Sequence, residues 1–260
     1  MSTGLAIGNG LGSNIEETQS NEATFESEIP SFDQIVETLN IFVGKGNVCE
    51  IRALGVDGRS NRTDSGYFDD FEAAASAAIQ LTTAGGVYFC LNTLDPALLA
   101  RAYNRMEPWA RLTTSDKDIR RRRWILIDCD PVRPTGISSS DDELDTAIDR
   151  AREVSDWMAA KGFQIPILAK SGNGAHLHFP TDLPNDSAST TLVKTILEAV
   201  ASQFTDNAVS IDTAVHSAAR ICRLYGTTAR KGDSTPDRPH RQSELLSIPA
   251  YLKEGDNCGA

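Results

Sequence analysis

The run Trp124-Ile125-Leu126-Ile127-Asp128-Cys129-Asp130 constrains this chain more than any other segment. Its apolar, β-branched character predicts a buried strand over Trp124–Cys129, because such side chains pack well on a pleated surface. Side chains alternate along a strand, so Asp128 and Asp130 share one face and Cys129 takes the other. Two neighbouring carboxylates at the end of an apolar strand repel each other. A divalent cation relieves that repulsion, and an oxygen-only donor set suits Mg²⁺ or Mn²⁺. The bland alternative is a strand running into an acidic turn before Pro131, since a D-x-D pair is common by itself.

The segments downstream of this strand supply its neighbours. Ser140-Asp141-Asp142-Glu143 reads as a capping box, opening a helix that runs to Lys161 and stops at Gly162. Pro166–Lys170 and Ala175–Phe179 read as short strands joined by Ser171-Gly172-Asn173-Gly174, with Asn-Gly as the hairpin signal. Ser187–Phe204 predicts an amphipathic helix with Leu192, Val193, Ile196, Leu197 and Val200 on its apolar face. Val209–Asp212 and Ile221–Tyr225 suit two further strands. From Trp124 the order is β-α-β-β-α-β, the ferredoxin-like or RNA-recognition-motif-like pattern, with helices on one face of an antiparallel sheet.

Upstream, Val48–Val56 and Gly86–Leu91 predict strands. Phe71–Thr82 predicts a helix stopped by Gly85-Gly86, and Pro96–Tyr103 a helix opened by proline. The expected fold class is therefore α+β: an RNA-recognition-motif-like catalytic sheet preceded by an α/β unit. Residues 1–30 read as a disordered acidic tail. Residues 31–250 form the expected domain, divided into an N-terminal unit (31–118) and a core (119–250), and 251–260 is a C-terminal tail.

Composition excludes some classes. With 260 residues, 40% hydrophobic, the chain can bury a substantial core. No apolar run approaches the ~18–20 residues of a membrane span, and no signal peptide opens the sequence. Five scattered cysteines (Cys49, Cys90, Cys129, Cys222, Cys258) include no C-x-x-C pair. That pattern indicates neither a disulfide framework nor a zinc site and fits a reducing, cytoplasmic setting. The net charge of −11 seems to oppose a polyanionic partner. Residues 1–44, however, hold seven acids and no Lys or Arg, so removing that −7 leaves −4 for residues 45–260. Local potential, not net charge, governs polyanion binding.

Four more segments carry chemistry. His176 and His178, two of only four histidines, share a strand face beside a glycine turn that admits close approach of a ligand. Asp212 closes the Val209–Asp212 strand. Arg220 to Gly232 is basic within an acidic protein, and its glycines can cradle phosphates, with Arg230 and Lys231 supplying charge. A regular strand would put Arg220 and Arg223 on opposite faces, where they cannot both serve one site. Arg120 to Arg123 reads as a solvated edge or, beside a metal site, as a holder of nucleic-acid backbone.

The ordered set Ile125–Asp130 (hhhDxD), Ser171–His176 (SGxGxH), Ile211-Asp212 (hD) and R-x-x-R-L-x-G-T followed by R-K-G resembles the archaeo-eukaryotic primase superfamily over roughly residues 45–248. The likeness is greatest to the primase-polymerase domains of phage and mobile-element replication proteins; the phrases DPVRPTGIS, RICRLYGT and KGDSTPDRPHR are similar to that group. The resemblance implies a metal-dependent, two-metal nucleotidyl transferase extending a 3′-hydroxyl on single-stranded DNA with NTP or dNTP. By match, Asp128, Asp130 and Asp212 hold Mg²⁺ or Mn²⁺. Ser171, Gly174, His176, Arg220, Arg230 and Lys231 meet the nucleotide. The resemblance also implies a replicative helicase as partner, and no P-loop for one occurs in this chain.

Two other readings compete. His176-Leu177-His178 also suits a replication initiator or relaxase that nicks single-stranded DNA through a histidine-bound metal and a tyrosine, here Tyr225 or Tyr251. That mechanism has no use for the D-x-D pair and asks for a tyrosine on a downstream helix. A binding sheet without catalysis is the third, opposed by intact carboxylates and by the lack of a stacking aromatic pair.

Overall fold

In a computed structural model, the described residues are Met1 and 30–253. The expected tail over 1–30 lies almost wholly outside them, as do Cys258 and most of 251–260.

The chain opens with α1 (Phe32–Phe42), where Ile35, Leu39 and Phe42 recur at helical spacing and are buried. Next come β1 (Cys49–Leu54), β2 (Thr63–Phe68), α2 (Phe71–Ile79), β3 (Gly86–Cys90), β4 (Thr93–Leu94) and β5 (Arg105–Glu107). Asp70 starts α2 by accepting from the Glu72 and Ala73 N–H groups. The second half runs β6 (Ile119–Pro131), α3 (Asp141–Ala159), β7 (Ile167–Lys170), β8 (Ala175–Pro184), α4 (Ser187–Phe204) and β9 (Val209–Ile211). The chain then adds β10 (Ile221–Arg223), β11 (Thr228–Ala229), β12 (Arg241–Gln242), β13 (Glu244–Ser247) and α5 (Ala250–Lys253).

Two antiparallel sheets result. The first has the order β10-β3-β1-β2-β5 and the second β13-β7-β8-β6-β4, with β9 also paired to β6; β11 and β12 form a separate ribbon. The halves exchange strands: β4 joins the second sheet, and β10 crosses back to pair with β3. One hydrophobic cluster joins them, and in it Phe42 lies 5.5 Å from Phe89, 4.8 Å from Trp124 and 4.7 Å from His178, ring centre to ring centre. Fully buried Ile127, on the helix-covered face of β6, contributes about 1.5–3 kcal/mol by leaving water.

Several expectations hold. The box at Ser140 and Glu143 is made reciprocally, Glu143 N–H to Ser140 Oγ at 3.2 Å and Ser140 N–H to Glu143 Oε2 at 2.9 Å. Gly162 adopts φ +89° just beyond α3. Others need correction. The Pro96 segment is a 3₁₀ helix (Pro96–Arg101), not an α-helix. Leu192 points outward from α4 at 47% exposure, leaving Val193, Leu197 and Val200 as the buried stripe. The hairpin's two loop residues are Gly172 and Asn173, with Ser171 N–H bonded to the Gly174 carbonyl at 2.9 Å; Gly172, at φ +100°, supplies the positive φ. Among the described residues no helix is long and apolar enough to cross a membrane.

Candidate active site

β6 and β8 build one wall of a cleft of about 330 Å³. Alternation puts Asp128 and Asp130 on one face of β6, and register places His176 directly opposite Asp128 and His178 opposite Leu126. His176 Nε2 lies 3.4 Å from Asp128 Oδ1. Gly174 makes room for the acids: a Cβ there would sit 2.6 Å from the Cys129 carbonyl oxygen and 3.1 Å from Asp130 Oδ1.

The two carboxylates differ electrostatically. Burial alone would raise both. Asp128 is instead lowered, because His176 attracts and hydrogen-bonds its charge, with smaller help from Arg220 and Arg133. Asp130 is raised by burial and by the charge of Asp128. Burial opposes protonation of His176, but Asp128 and Cys222 outweigh it and raise its pKa to about 10. His178, buried and next to His176, is held neutral far below the usual imidazole range.

Behind the wall, one hydroxyl joins both histidines. Tyr225 Oη is 2.7 Å from His176 Nδ1 and 2.5 Å from His178 Nε2, with Cys222 Sγ 3.5 Å away. His178 Nδ1 has no partner and is buried. A bare lone pair there costs less than a stranded N–H, which favours the proton on Nε2, donating to Tyr225. Tyr225 Oη also accepts from the Nδ1–H of protonated His176, and its own proton is left for Cys222 Sγ. The Nε2–H of His176 is left facing Asp128 and the cleft. The ligand-type atoms of His176, His178 and Cys222 lie within 4.8 Å of one another, and the Tyr225 hydroxyl links them.

The opposite wall is basic. Arg220, Arg223, Arg230 and Lys231 all line the cleft. This corrects the expectation that Arg220 and Arg223 exclude each other. Arg220 precedes β10, so strand alternation does not govern it, and β10 is an edge strand around which the cleft wraps. The Arg223 guanidinium lies 4.4 Å from the Tyr88 ring centre, and its Nε and Nη1 are buried without a hydrogen-bond partner. Gly86 leaves the space it occupies, since a Cβ there would be 2.2 Å from Nη1.

The remaining expected residues sit in or beside the cleft. Ser171 lines it and pins the turn, accepting from the Gly174 N–H at 3.1 Å. Asp212 stands just outside the lining. Its N–H donates to the Asp128 carbonyl at 3.0 Å, and its carboxylate meets Arg220 at 3.5 Å. Arg133, given no role by sequence, reaches Asp130 at 3.7 Å and is almost buried; its place three residues after Asp130 was the available signal.

Two basic features leave the site. The arginines at 120–123 are engaged elsewhere: Arg120 with Asp95, Arg121 and Arg123 with Asp182, and Arg122 buried against the His216 carbonyl and Thr190. Arg238 is gripped by both oxygens of Glu143, which ties the 232–241 segment to the start of α3. The nicking tyrosines fare no better. Tyr225 is fully buried, and Tyr251, in the short α5, donates its hydroxyl to the Ile165 carbonyl at 2.6 Å.

No protein-family profile and no curated protein matches the chain. Solved structures do resemble it. A primase-polymerase (PrimPol) AEP domain from cyanophage S-2L is 15% identical over 85% of this chain and 92% of its own, with a TM-score of 0.49. Primase RepB′ is 14% identical over 86% and 61%, TM-score 0.43. The polymerase domain of Mycobacterium tuberculosis Ligase D, solved with DNA, is 16% identical over 81% and 79%, TM-score 0.42. At such identities and TM-scores, the site's own residues have to carry the functional reading.

Proposed function

We propose that this chain is a DNA primase-polymerase that transfers nucleotides from NTP or dNTP to a 3′-hydroxyl on single-stranded DNA, with Asp128, Asp130 and Asp212 holding Mg²⁺ or Mn²⁺. The observation that carries this reading is the pairing of opposites across one cleft. Two adjacent carboxylates, one with a raised pKa, face arginine N–H groups that have no acceptor. A bound cation would relieve the first and a polyphosphate the second. The donor set fits, being oxygen-only, with Asp128 and Asp130 on β6 and Asp212 directly after β9. When bound, a pair of such metals would activate the attacking hydroxyl and stabilise the leaving pyrophosphate.

The protein's own residues do the rest. Arg220, Arg223, Arg230 and Lys231 bind and orient the phosphates, Arg by paired N–H groups and Lys as a point charge. His176 presents Nε2–H to a phosphate oxygen beside Asp128. Ser171 and Gly174 hold the turn that sets His176 in register. The unit doing this is read as residues 31–250. Its β6-α3-β7-β8-α4-β9 order, with strands arranged β9-β6-β8-β7, supports an RNA-recognition-motif-like core.

Incubation with primed and unprimed single-stranded DNA, labelled nucleotides and Mg²⁺ or Mn²⁺ tests this. Extension products are expected. A covalent DNA–protein adduct would point to a nickase instead, and DNA binding with neither product to a binding module.

A further inference from the structure

The segment 103–112, remote from the cleft lining, leaves three large side chains in solvent: Tyr103 at 65% exposure, Trp109 at 47% and Leu112 at 70%. Trp109 is also held at φ +54°, a left-handed conformation that bulky residues avoid. Hydrogen bonds fix the backbone there, Trp109 N–H to Asp64 Oδ1 at 3.0 Å and Ala110 N–H to the Thr63 carbonyl at 2.8 Å. The core gains little from an indole displayed this way. Strained residues that surrounding contacts over-determine cluster at binding sites.

Two arginines lie beside the ring. The guanidinium carbons of Arg59 and Arg62 lie 5.8 and 5.5 Å from the Trp109 ring centre. Arg62 is neutralised by Asp57 and Asp64. Arg59 and Arg111 are exposed and meet no carboxylate among the described residues. A flat π-face with the unneutralised Arg59 guanidinium over it, and exposed Arg111 two residues along the chain, suits one class of partner. Unpaired bases stack on the ring, and the phosphates between them meet the arginines.

We propose that Trp109, with Arg59 and Arg111, is a docking surface for single-stranded nucleic acid outside the catalytic cleft. The choice of partner rests on the polymerase reading; the surface itself does not. β5 is the edge of the first sheet opposite β10, so about four strand spacings, roughly 19 Å, separate the segment from the cleft. A mononucleotide in the cleft does not span that distance, whereas a strand of several nucleotides does.

The test is equilibrium binding of a fluorescent oligothymidylate of about 12 nucleotides to the full chain without metal or nucleotide. Trp109→Ala should weaken binding about five- to hundredfold, and Trp109→Phe, which keeps a ring, only a few-fold. Arg59→Ala and Arg111→Ala should each reduce the slope of log affinity against log salt by about 0.7. Trp109→Gly suits the positive φ, so it removes the ring without straining the fold and covers the case in which the alanine variant unfolds. Wild-type affinity in both ring-less variants overturns the proposal. So does a duplex of equal length competing as well as the single strand, or a wild-type dimer that Trp109→Ala dissociates, which would make the surface a self-contact. Because no catalysis is read, an inactive polymerase with this binding pattern would refute only the polymerase reading.

Discussion

Asp128 and His176 stand opposite each other in the register of β6 and β8, and their side chains meet at 3.4 Å. The contact makes the two acids of the D-x-D pair unequal. Asp128 already has a cationic neighbour, whereas Asp130 has only the longer contact to Arg133. Asp128→Ala and Asp130→Asn should both abolish nucleotide incorporation, but they should move stability in opposite directions. Asp130→Asn removes a like charge and should raise the metal-free Tm by about 2–4 °C, the equivalent of roughly 1 kcal/mol in a chain of this size. Asp128→Ala strands a buried imidazolium and should cost about 3 kcal/mol or more. Thermal melts beside incorporation assays decide it; undiminished synthesis by the double variant would refute the site.

Tyr225→Phe keeps the buried ring and deletes the hydroxyl that both histidines share. His176 then loses what orients its ring, at a stability cost of about 1–3 kcal/mol. In the polymerase reading kcat should fall about tenfold with nucleotide KM changed little, while His178→Ala, one step further back, should act in the same direction and more weakly. The check is a kcat and KM comparison, with a gel for trapped DNA adducts. An adduct in the wild type that this variant loses would revive the nicking mechanism.

Arg223→Ala and Lys231→Ala should raise nucleotide KM far more than they weaken single-stranded DNA binding. A lost charged hydrogen bond of about 1.5–3 kcal/mol corresponds to roughly ten- to hundredfold. Gly86→Ala offers a second route, because its Cβ would displace the Arg223 guanidinium without removing it. Template affinity lost at unchanged nucleotide saturation would place these residues in the strand groove instead.

Asp206 links α3 to the turn before β9. Its carboxylate meets Arg150 at 2.8 Å and accepts from the Ala208 and Val209 N–H groups. The Arg150 contact, then those two N–H groups, pull its pKa down to about 2. A depressed carboxylate stabilises the fold above its unfolded value near ~3.9 and ceases to do so as pH falls through about 2. Asp206→Asn should therefore melt below wild type at pH 7, with the gap closing between about pH 4 and pH 2. A gap constant over that range would show that the carboxylate charge contributes nothing.

Much of the second sheet was legible because its signals are local. The box at Ser140 and Glu143, the apolar stripe of α4 and the presence, though not the central pair, of the turn at 171–174 each depend on neighbours within a few residues. Alternation likewise placed Asp128 with Asp130, and His176 with His178. What alternation does not contain is register, and register brings Asp128 to His176. β2 escaped notice because Thr63-Asp64-Ser65-Gly66 lacks apolar periodicity; its strand state comes from pairing with β1 and β5. β10 reads as a strand in sequence, but nothing near it says that it returns to β3. The partnership of Tyr225 with both histidines, and the role of Arg133, were hidden for the same reason: they are set by distant segments meeting.

The strand exchange between the sheets carries a consequence for synthesis of the protein. The carboxylates on β6 leave the ribosome long before β10 and the basic segment ending at Lys231. A nascent chain through α3 therefore has acids without their opposing arginines, and a first sheet lacking its last strand. The cleft comes into being only when residues 220–231 have emerged and β10 closes onto β3, a non-local contact of the kind that slows folding. Until that moment the growing polypeptide has no complete cleft, so any chemistry the cleft performs waits for residues as late as Lys231.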